Sequence, residues 1–309
     1  MRRTRTVSQP DAHTAVFEAH RPRLVRLAYR MVGSVAEAED VVQDAWMRWR
    51  GVAPGTVREP VAWLTRTTTR LALDVLKSAR VRRETYVGAW LPEPLMQAPE
   101  EEPAQDDLTL TLMLALERLS PLERAAFLLH DVFGVGFEEL ATTLEREPAA
   151  VRQLAARARR HVQDARPRYP VDREEGGRLA QAFFEASRSG DVDGLRALLA
   201  DGVIIHSDGG GKVHAFPRPI VGVDRVLRLY AGLHRKYGPG FTIQLHPAWI
   251  DGLPGYVALE RGQLLQTTAF AIEDGRIQAI YITRNPEKLA HVAAGLDLRL
   301  SPPGAATAH

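Results

Sequence analysis

Apolar residues recur at spacings of three and four through the first half of the chain and alternate with polar ones through much of the second. Leu24, Leu27, Ala28, Met31 and Val32 form one helical stripe that ends at Gly33. Ser34 and Glu37 make an S-x-x-E capping signature, which opens a second helix with Ala38, Val41, Val42, Ala45, Trp46 and Trp49 on its inner side. Its other side carries Glu37, Asp40, Gln43 and Asp44. A loop with Gly51, Pro54, Gly55 and Pro60 precedes a third helix over about 61–83, with Leu64, Leu71, Val75 and Leu76 facing inward. Helical patterning thus runs over about 14–83, behind a disordered basic leader.

From Glu93 to Asp107 the pattern stops. Glu93, Glu100, Glu101, Glu102, Asp106 and Asp107 occur without a basic residue, alongside Pro92, Pro94, Pro99 and Pro103, which predicts an extended, poorly packed linker. Helix resumes near Leu108. The run LTLTLML alternates like a strand, but it merges into ALERL and reads as helix. Ser120 and Glu123 form a second capping signature with Pro121 at the first helical position.

Phe137, Leu140, Ala141 and Leu144 then give a short amphipathic helix, and a polar turn from Glu145 to Glu147 leads into another that begins at Pro148. That helix buries Val151, Leu154, Ala155, Ala158 and Val162 and presents Arg152, Gln153, Arg157 and Arg160 opposite. From Pro148 to Arg168 there are six arginines and one aspartate. One bracing helix, a tight turn and a basic second helix make a helix-turn-helix, whose second helix enters the major groove. Arginine and glutamine side chains supply donors suited to phosphates and base edges.

Beyond Pro170 the pattern changes again. Leu179, Ala182, Phe183 and Ala186 lie on one helix, a short second helix runs to Ala200, and a third covers about 224–236. Strand-like alternation appears near 203–207, 242–250, 256–260, 264–272 and 277–283, with hairpin turns at Asp251-Gly252 and Asp274-Gly275. Helices gathered on one side of an antiparallel sheet make an α+β domain. The predicted fold is multi-domain: two all-α domains followed by an α+β domain.

Composition narrows the chemistry. At 309 residues the chain accommodates two or three domains, and 45% apolar content supports buried cores. The net charge of +2 does not point to nucleic acid; the segregation of basic and acidic segments does. The absence of cysteine excludes disulfides, thiolate zinc sites, cysteine nucleophiles and direct thiol redox sensing. Arg2 and Arg3 are not followed by an apolar segment, and no run approaches a membrane span, so the expected location is the cytoplasm. The glycine-rich DGGGK at 208–212 is not a phosphate-binding P-loop. His206 stands where the first glycine belongs, and Val213 replaces the required Ser or Thr. A tight turn with close backbone approach explains it better.

The text AEAEDVVQDAWMRW with PVAWLTRTTTRLALDVLKSARVRR, and LSPLERAAFLLHDVFGVGFEELA with AAVRQLAARARRHV, resembles regions 2 and 4 of extracytoplasmic-function (ECF) RNA polymerase sigma factors. The likeness covers about 15–168. The remainder, about 175–290, resembles a SnoaL-like domain, a cone-shaped α+β fold. WLPEP at 90–94, DGGGK at 208–212 and NPEKL at 285–289 resemble signatures of the sigma-J-like subgroup, which carries this fusion.

The resemblance implies region 2 at 14–83, an acidic linker at 84–107, region 4 at 108–168 and a SnoaL-like regulatory domain at 175–290. It implies a factor that binds core RNA polymerase through Asp40, Gln43 and Asp44 and directs promoter-specific initiation. Arg66, Arg70, Lys77 and Arg80, with the hydroxyls of Thr65, Thr67, Thr68 and Thr69, would read and open the −10 element. Thr69 stands where the family usually has asparagine. Trp63 is expected in the core. Arg152, Gln153, Arg157 and Arg160 would read the −35 element, and the linker acids would mimic nucleic-acid charge.

Asp208, Gly209, Gly210, Gly211 and Lys212, with Asn285, Pro286, Lys288 and Leu289, would be contact surfaces facing region 2 or the linker, through which the last domain regulates in cis. No enzymatic activity, cofactor or metal is expected. Two other readings remain open: a polymerase-independent DNA-binding regulator, and a SnoaL-type enzyme or small-ligand sensor fused to a DNA-binding module. For the latter, His206, Asp208, His214 and His246 are candidate acid–base residues at the mouth of the cone.

Overall fold

The computed structural model describes residues 12–53, 55–84, 86–97, 109–163 and 171–296, with the backbone alone at 12 and 79–84. The basic leader, the side chain of Arg80 and the linker acids from Glu100 to Asp107 lie outside the described residues. The chain divides into two compact units: Met1–Val81 with Leu119–Arg160, and Arg82–Arg118 with His161–His309.

The first unit is helical. α1 (Ala12–Val32) stops at Gly33, whose φ of +73° is open to glycine and whose N–H bonds the Tyr29 carbonyl. Ser34 caps α2 (Val35–Arg50) by accepting from the Glu37 N–H. Leu27, Ala28, Met31 and Val32 of α1 are buried, as are Val41, Val42, Ala45 and Trp49 of α2. On α3 (Pro60–Glu84) the buried residues are Leu64, Thr65, Thr68, Thr69, Ala72, Leu73 and Leu76, while Leu71 and Val75 are only half-buried. The inward stripe is therefore turned relative to expectation, because three small threonines fill positions that hydropathy marks as polar. Trp63, expected in the core, is half-buried, and packs against Trp49 with ring centroids 5.3 Å apart.

α4 (Leu110–Leu116) belongs to the second unit. In the first, Ser120 and Glu123 form both halves of a capping box at the start of α5 (Pro121–Phe127), which runs into a π-helical turn at Leu128–Val132. α6 (Phe137–Leu144) ends at Glu145, in the left-handed region at φ +54°, and α7 (Pro148–Val162) follows. Val151, Leu154, Ala155, Ala158 and Val162 are all buried, as the spacing predicts.

The second unit is built on a seven-stranded sheet: β1 (Met96–Gln97), β2 (Leu199–Asp208), β3 (Ile220–Val221), β4 (Thr242–Ile250), β5 (Leu253–Glu260), β6 (Leu264–Glu273) and β7 (Arg276–Thr283), in the order β1-β4-β5-β6-β7-β2-β3. The expected hairpin turns are present, with Asp251, Gly252, Asp274 and Gly275 all at positive φ. The sheet is mixed, not antiparallel, because β2 lies parallel to β7 with Ile205 opposite Ile280. One face meets α8 (Arg173–Ser189), α9 (Val192–Leu198) and α10 (Val223–Tyr237) through a core that includes Phe183, Leu195, Val226, Phe270 and Ile280.

The other face is covered too. Leu91 and Leu110 pack on Ala248, Ile250, Leu253, Ala279 and Tyr281, and Leu289 and Val292, the latter on α11 (Ala290–Gly295), pack on Val257 and Leu265. Residues 86–97 are thus extended but not poorly packed. Leu91 is 1% exposed, and β1 pairs antiparallel with β4. Proline and acid content masked two anchors: an apolar residue at 91, and backbone groups that complete the edge of β4.

Candidate nucleic-acid face and linker clamp

On α7 the buried stripe fixes what faces outward. Gln153 and Arg160 stand opposite it in one exposed row with Ala149 and Ala156, and small side chains there let a helix backbone approach a surface closely. Arg152 lies beside this row, exposed, paired to Glu138 at 3.2 Å and set over the Phe137 ring. Arg157 is turned back: its Nε donates to Glu123 Oε1 at 2.9 Å. Burial opposes ionisation of Glu123, but bonds from Ser120 and Arg157 hold its carboxyl below the ordinary value. Arg159 pairs similarly with Asp131 at 2.6 Å.

On α3, Arg70 donates to the carbonyls of Thr143 and Thr142, both at 3.2 Å, and pairs with Glu145 at 2.9 Å. It therefore caps the C-terminal end of α6, where free carbonyls and the helix dipole favour a cation. Lys77 pairs with Asp74 on its own helix, and Arg66 is half-buried. Of the four threonine hydroxyls, three belong to buried residues, and Thr69 Oγ1 donates to the Thr65 carbonyl. Thr69 is thus buried, with its hydroxyl turned back onto its own helix. On α2, Asp40, Gln43 and Asp44 are exposed, and Met47 extends the same face one turn further as an exposed apolar residue.

The second unit gathers the two motifs around one carboxylate. Asp208, 0% exposed, accepts from the Tyr86 hydroxyl at 2.6 Å, the Leu91 N–H at 2.8 Å, the Gly210 N–H at 3.0 Å and Lys288 Nζ at 2.7 Å. Both oxygens are satisfied, which is what makes burial of the charge tolerable. Lys288 also donates to the Leu91 carbonyl and lies 4.3 Å from the Trp90 ring centroid. Asn285 Nδ2 donates to the Tyr86 oxygen at 2.9 Å. Burial, reinforced by Asp208, pushes the Tyr86 phenol far above its ordinary value, so it remains a donor.

Gly210 has φ +62°, and a Cβ there would meet Asn285 Nδ2 at 2.3 Å; the glycines of DGGGK serve this close approach. Lys212 pairs with Glu287 of the facing loop. Leu289 is core, and Pro286 lies in the loop after β7.

The proposed acid–base group does not assemble. On β2, successive side chains take opposite faces. Ser207 lines a cavity of about 710 Å³, whereas His206 stacks on Tyr281, its centroid 5.4 Å away. Burial, then the Arg118 charge, lowers the His206 pKa. Asp208 is committed to Tyr86 and Lys288, His246 is exposed on β4, and only His214 reaches the cavity wall.

Comparison with known proteins agrees with both helical segments. Residues 16–82 match Sigma-70 region 2 and residues 109–162 match Sigma-70, region 4. The ECF RNA polymerase sigma factor SigJ of Mycobacterium tuberculosis is 40% identical over 296 residues, covering 88% of this chain and 91% of SigJ. The chain belongs to the ECF RNA polymerase sigma factors. SigI of the same organism is 35% identical, over 94% of this chain and 99% of its own length. The crystal structure of SigJ matches with a TM-score of 0.71 at 33% identity, over 90% of this chain and 98% of that one.

In this sigma factor, Asp208 to Lys212 and Asn285 to Lys288 come together, as do Asp40, Gln43 and Asp44 on one exposed face. The α3 and α7 candidates do not present a single open set of cations, since Arg70, Lys77, Arg152 and Arg157 each hold an acid. Sequence reasoning missed Tyr86, Leu91, Glu123 and Glu145 as partners. The S-x-x-E signature pointed to Glu123, but nothing in the local pattern marks Tyr86. Among the described residues no helix is long and apolar enough to cross a membrane.

Proposed function

We propose that this protein binds core RNA polymerase and directs promoter-specific initiation in the cytoplasm, without catalysis of its own. In this reading 14–83 is region 2, 84–107 the linker, 108–168 region 4 and 175–290 a SnoaL-like regulatory domain. The α2 face of Asp40, Gln43 and Asp44 docks on polymerase. α3 engages −10 DNA through Arg66, Arg70, Lys77 and Arg80, and α7 enters the −35 major groove with Arg152, Gln153 and Arg160. Arg157 supports that helix from its edge.

The last domain acts in cis by gripping the linker, and the observation that carries this is the buried Asp208 carboxylate, bonded at once to Tyr86, Leu91 and Lys288. Because grip and linker share one chain, effective concentration makes even a modest contact count. Run-off transcription with purified core polymerase tests the reading. Removal of the tail after Thr283, which carries Asn285 and Lys288, should raise activity. Removal of everything after Arg168 should lower it, because the domain then no longer supports polymerase binding. No transcript from the full chain would reject the sigma reading in favour of a polymerase-independent regulator; equal activity of the three would make the last domain a passenger.

A further inference from the structure

The cavity of the second unit is not used by the clamp, and its walls are chemically uneven. It measures about 710 Å³, within the range of small-molecule sites. Phe216, Leu229, Tyr230, Leu233, Phe241 and Tyr256 supply an apolar body. Arg188, Arg228, Lys236, Arg261 and Arg284 bring positive charge, against which Glu260 is the one carboxylate among the described lining residues, already paired to Arg284 at 2.5 Å. At the floor, Ser207 is 2% exposed and its hydroxyl has no hydrogen-bond partner; the Nε of Arg284 is buried and likewise unpartnered. Buried polar atoms left unpaired are costly, so donors such as these on one cavity wall mark a place for a ligand's acceptor.

Both floor residues adjoin the clamp. Ser207 precedes Asp208, Arg284 precedes Asn285, and the N–H groups of Arg284 and Asn285 donate to the Asp208 carbonyl at 2.7 and 3.0 Å. Anything that draws Ser207 or Arg284 into the cavity moves the backbone that aims Asp208 and Asn285 at Tyr86. We propose that this cavity binds a small aromatic or alicyclic carboxylate, its anionic head on Ser207 and Arg284 and its ring among the aromatic side chains, and that occupancy shifts the grip on residues 86–91. The inference deepens the cis-regulatory reading above and rests on it for its biological meaning.

The test uses the full chain with benzoate and cyclohexanecarboxylate as probes and benzamide and inorganic phosphate as controls. Saturable binding is measured by ligand-observed NMR, and amide exchange over 86–91 is followed at saturating probe. The carboxylates should bind at least about tenfold tighter than benzamide, as loss of a charge-assisted hydrogen bond implies. Arg228→Gln and Arg261→Gln, at exposed positions that leave the core intact, should weaken that binding, and exchange over 86–91 should change on saturation. No saturable carboxylate binding, equal binding of benzamide, tighter binding of phosphate alone, or indifference to both rim variants would overturn the site. Binding with unaltered exchange would overturn the coupling. Neither readout involves polymerase or promoter, so failure here is distinguishable from failure of the transcription reading.

Discussion

Lys288→Met is the sharpest test of the clamp. Methionine keeps the length of the side chain and removes its charge, leaving Asp208 fully buried with donors, among the described residues, from Tyr86, Leu91 and Gly210. Breaking one side of a buried pair costs about 3–5 kcal/mol. Three neutral donors still reach the carboxylate, which argues for the lower end, about 3 kcal/mol. That loss falls on the docking of 86–97, so exchange of the Leu91 amide, which donates to Asp208, should accelerate by roughly 100-fold. Native-state hydrogen exchange on the full chain reads it directly. Lys212→Met is the internal control: its pair with Glu287 is exposed, and pairs of that kind are worth about 0–1 kcal/mol. Asp208→Asn with Lys288→Met should cost less than the sum of the single changes by about 1 kcal/mol or more. Strict additivity, or equal effects at Lys212 and Lys288, would refute the argument that the buried carboxylate holds the linker.

Three further outcomes follow from the same geometry. Arg152→Ala and Gln153→Ala should each weaken promoter recognition by about 1–3 kcal/mol, in a −35-dependent manner if base contacts are lost; uniform loss across sequences, with a smaller salt slope, would reassign both to phosphates. Lys at both Asp40 and Asp44 should reduce competition for core polymerase while the far-ultraviolet spectrum stays unchanged, since both positions are exposed; retained competition would remove α2 from the interface. His206 has a depressed pKa, so its contribution to stability is present above about pH 6.5 and lost as pH falls below that value; His206→Phe should flatten that acid-side loss in urea titrations, and an unchanged slope would exclude His206 as its source.

How far the chain could be read depended on how local each signal was. Helices with a clean stripe, such as α7, and caps such as Ser120 with Glu123 were legible, because partner and signal lie within one or two turns. The inward face of α3 was misjudged because Thr65, Thr68 and Thr69 are polar by type yet buried among helices. Residues 86–97 looked unpacked because their stabilising partners, Asp208, Asp251 and Lys288, are more than a hundred residues distant. The parallel pairing of β2 with β7 was illegible for the same reason: alternation reports a strand, never its neighbour. The motifs DGGGK and NPEKL were visible as text, but their shared centre at Asp208 required the fold.

The arginines of the first unit show why counting cations overstates a DNA surface. Arg152 and Arg70 pair with carboxylates that are themselves well exposed, and such pairs contribute about 0–1 kcal/mol. A phosphate contact gains counterion release in addition, so it wins that exchange at moderate salt. Arg70 carries the higher exchange cost of the two, because it also leaves two carbonyls at the end of α6 without their donor. Arg157 differs in kind, as does Arg159, whose partner Asp131 is only 14% exposed. The partner of Arg157, Glu123, is only 13% exposed and closes the capping box of α5, so pulling Arg157 away unbalances a helix start as well as an ion pair. On the reading proposed above, the arginine pattern seen in sequence separates into cations that DNA can recruit and two, Arg157 and Arg159, that hold α7 in place, leaving Gln153 and Arg160, across from the buried stripe, as the side chains with least to give up on entering a groove.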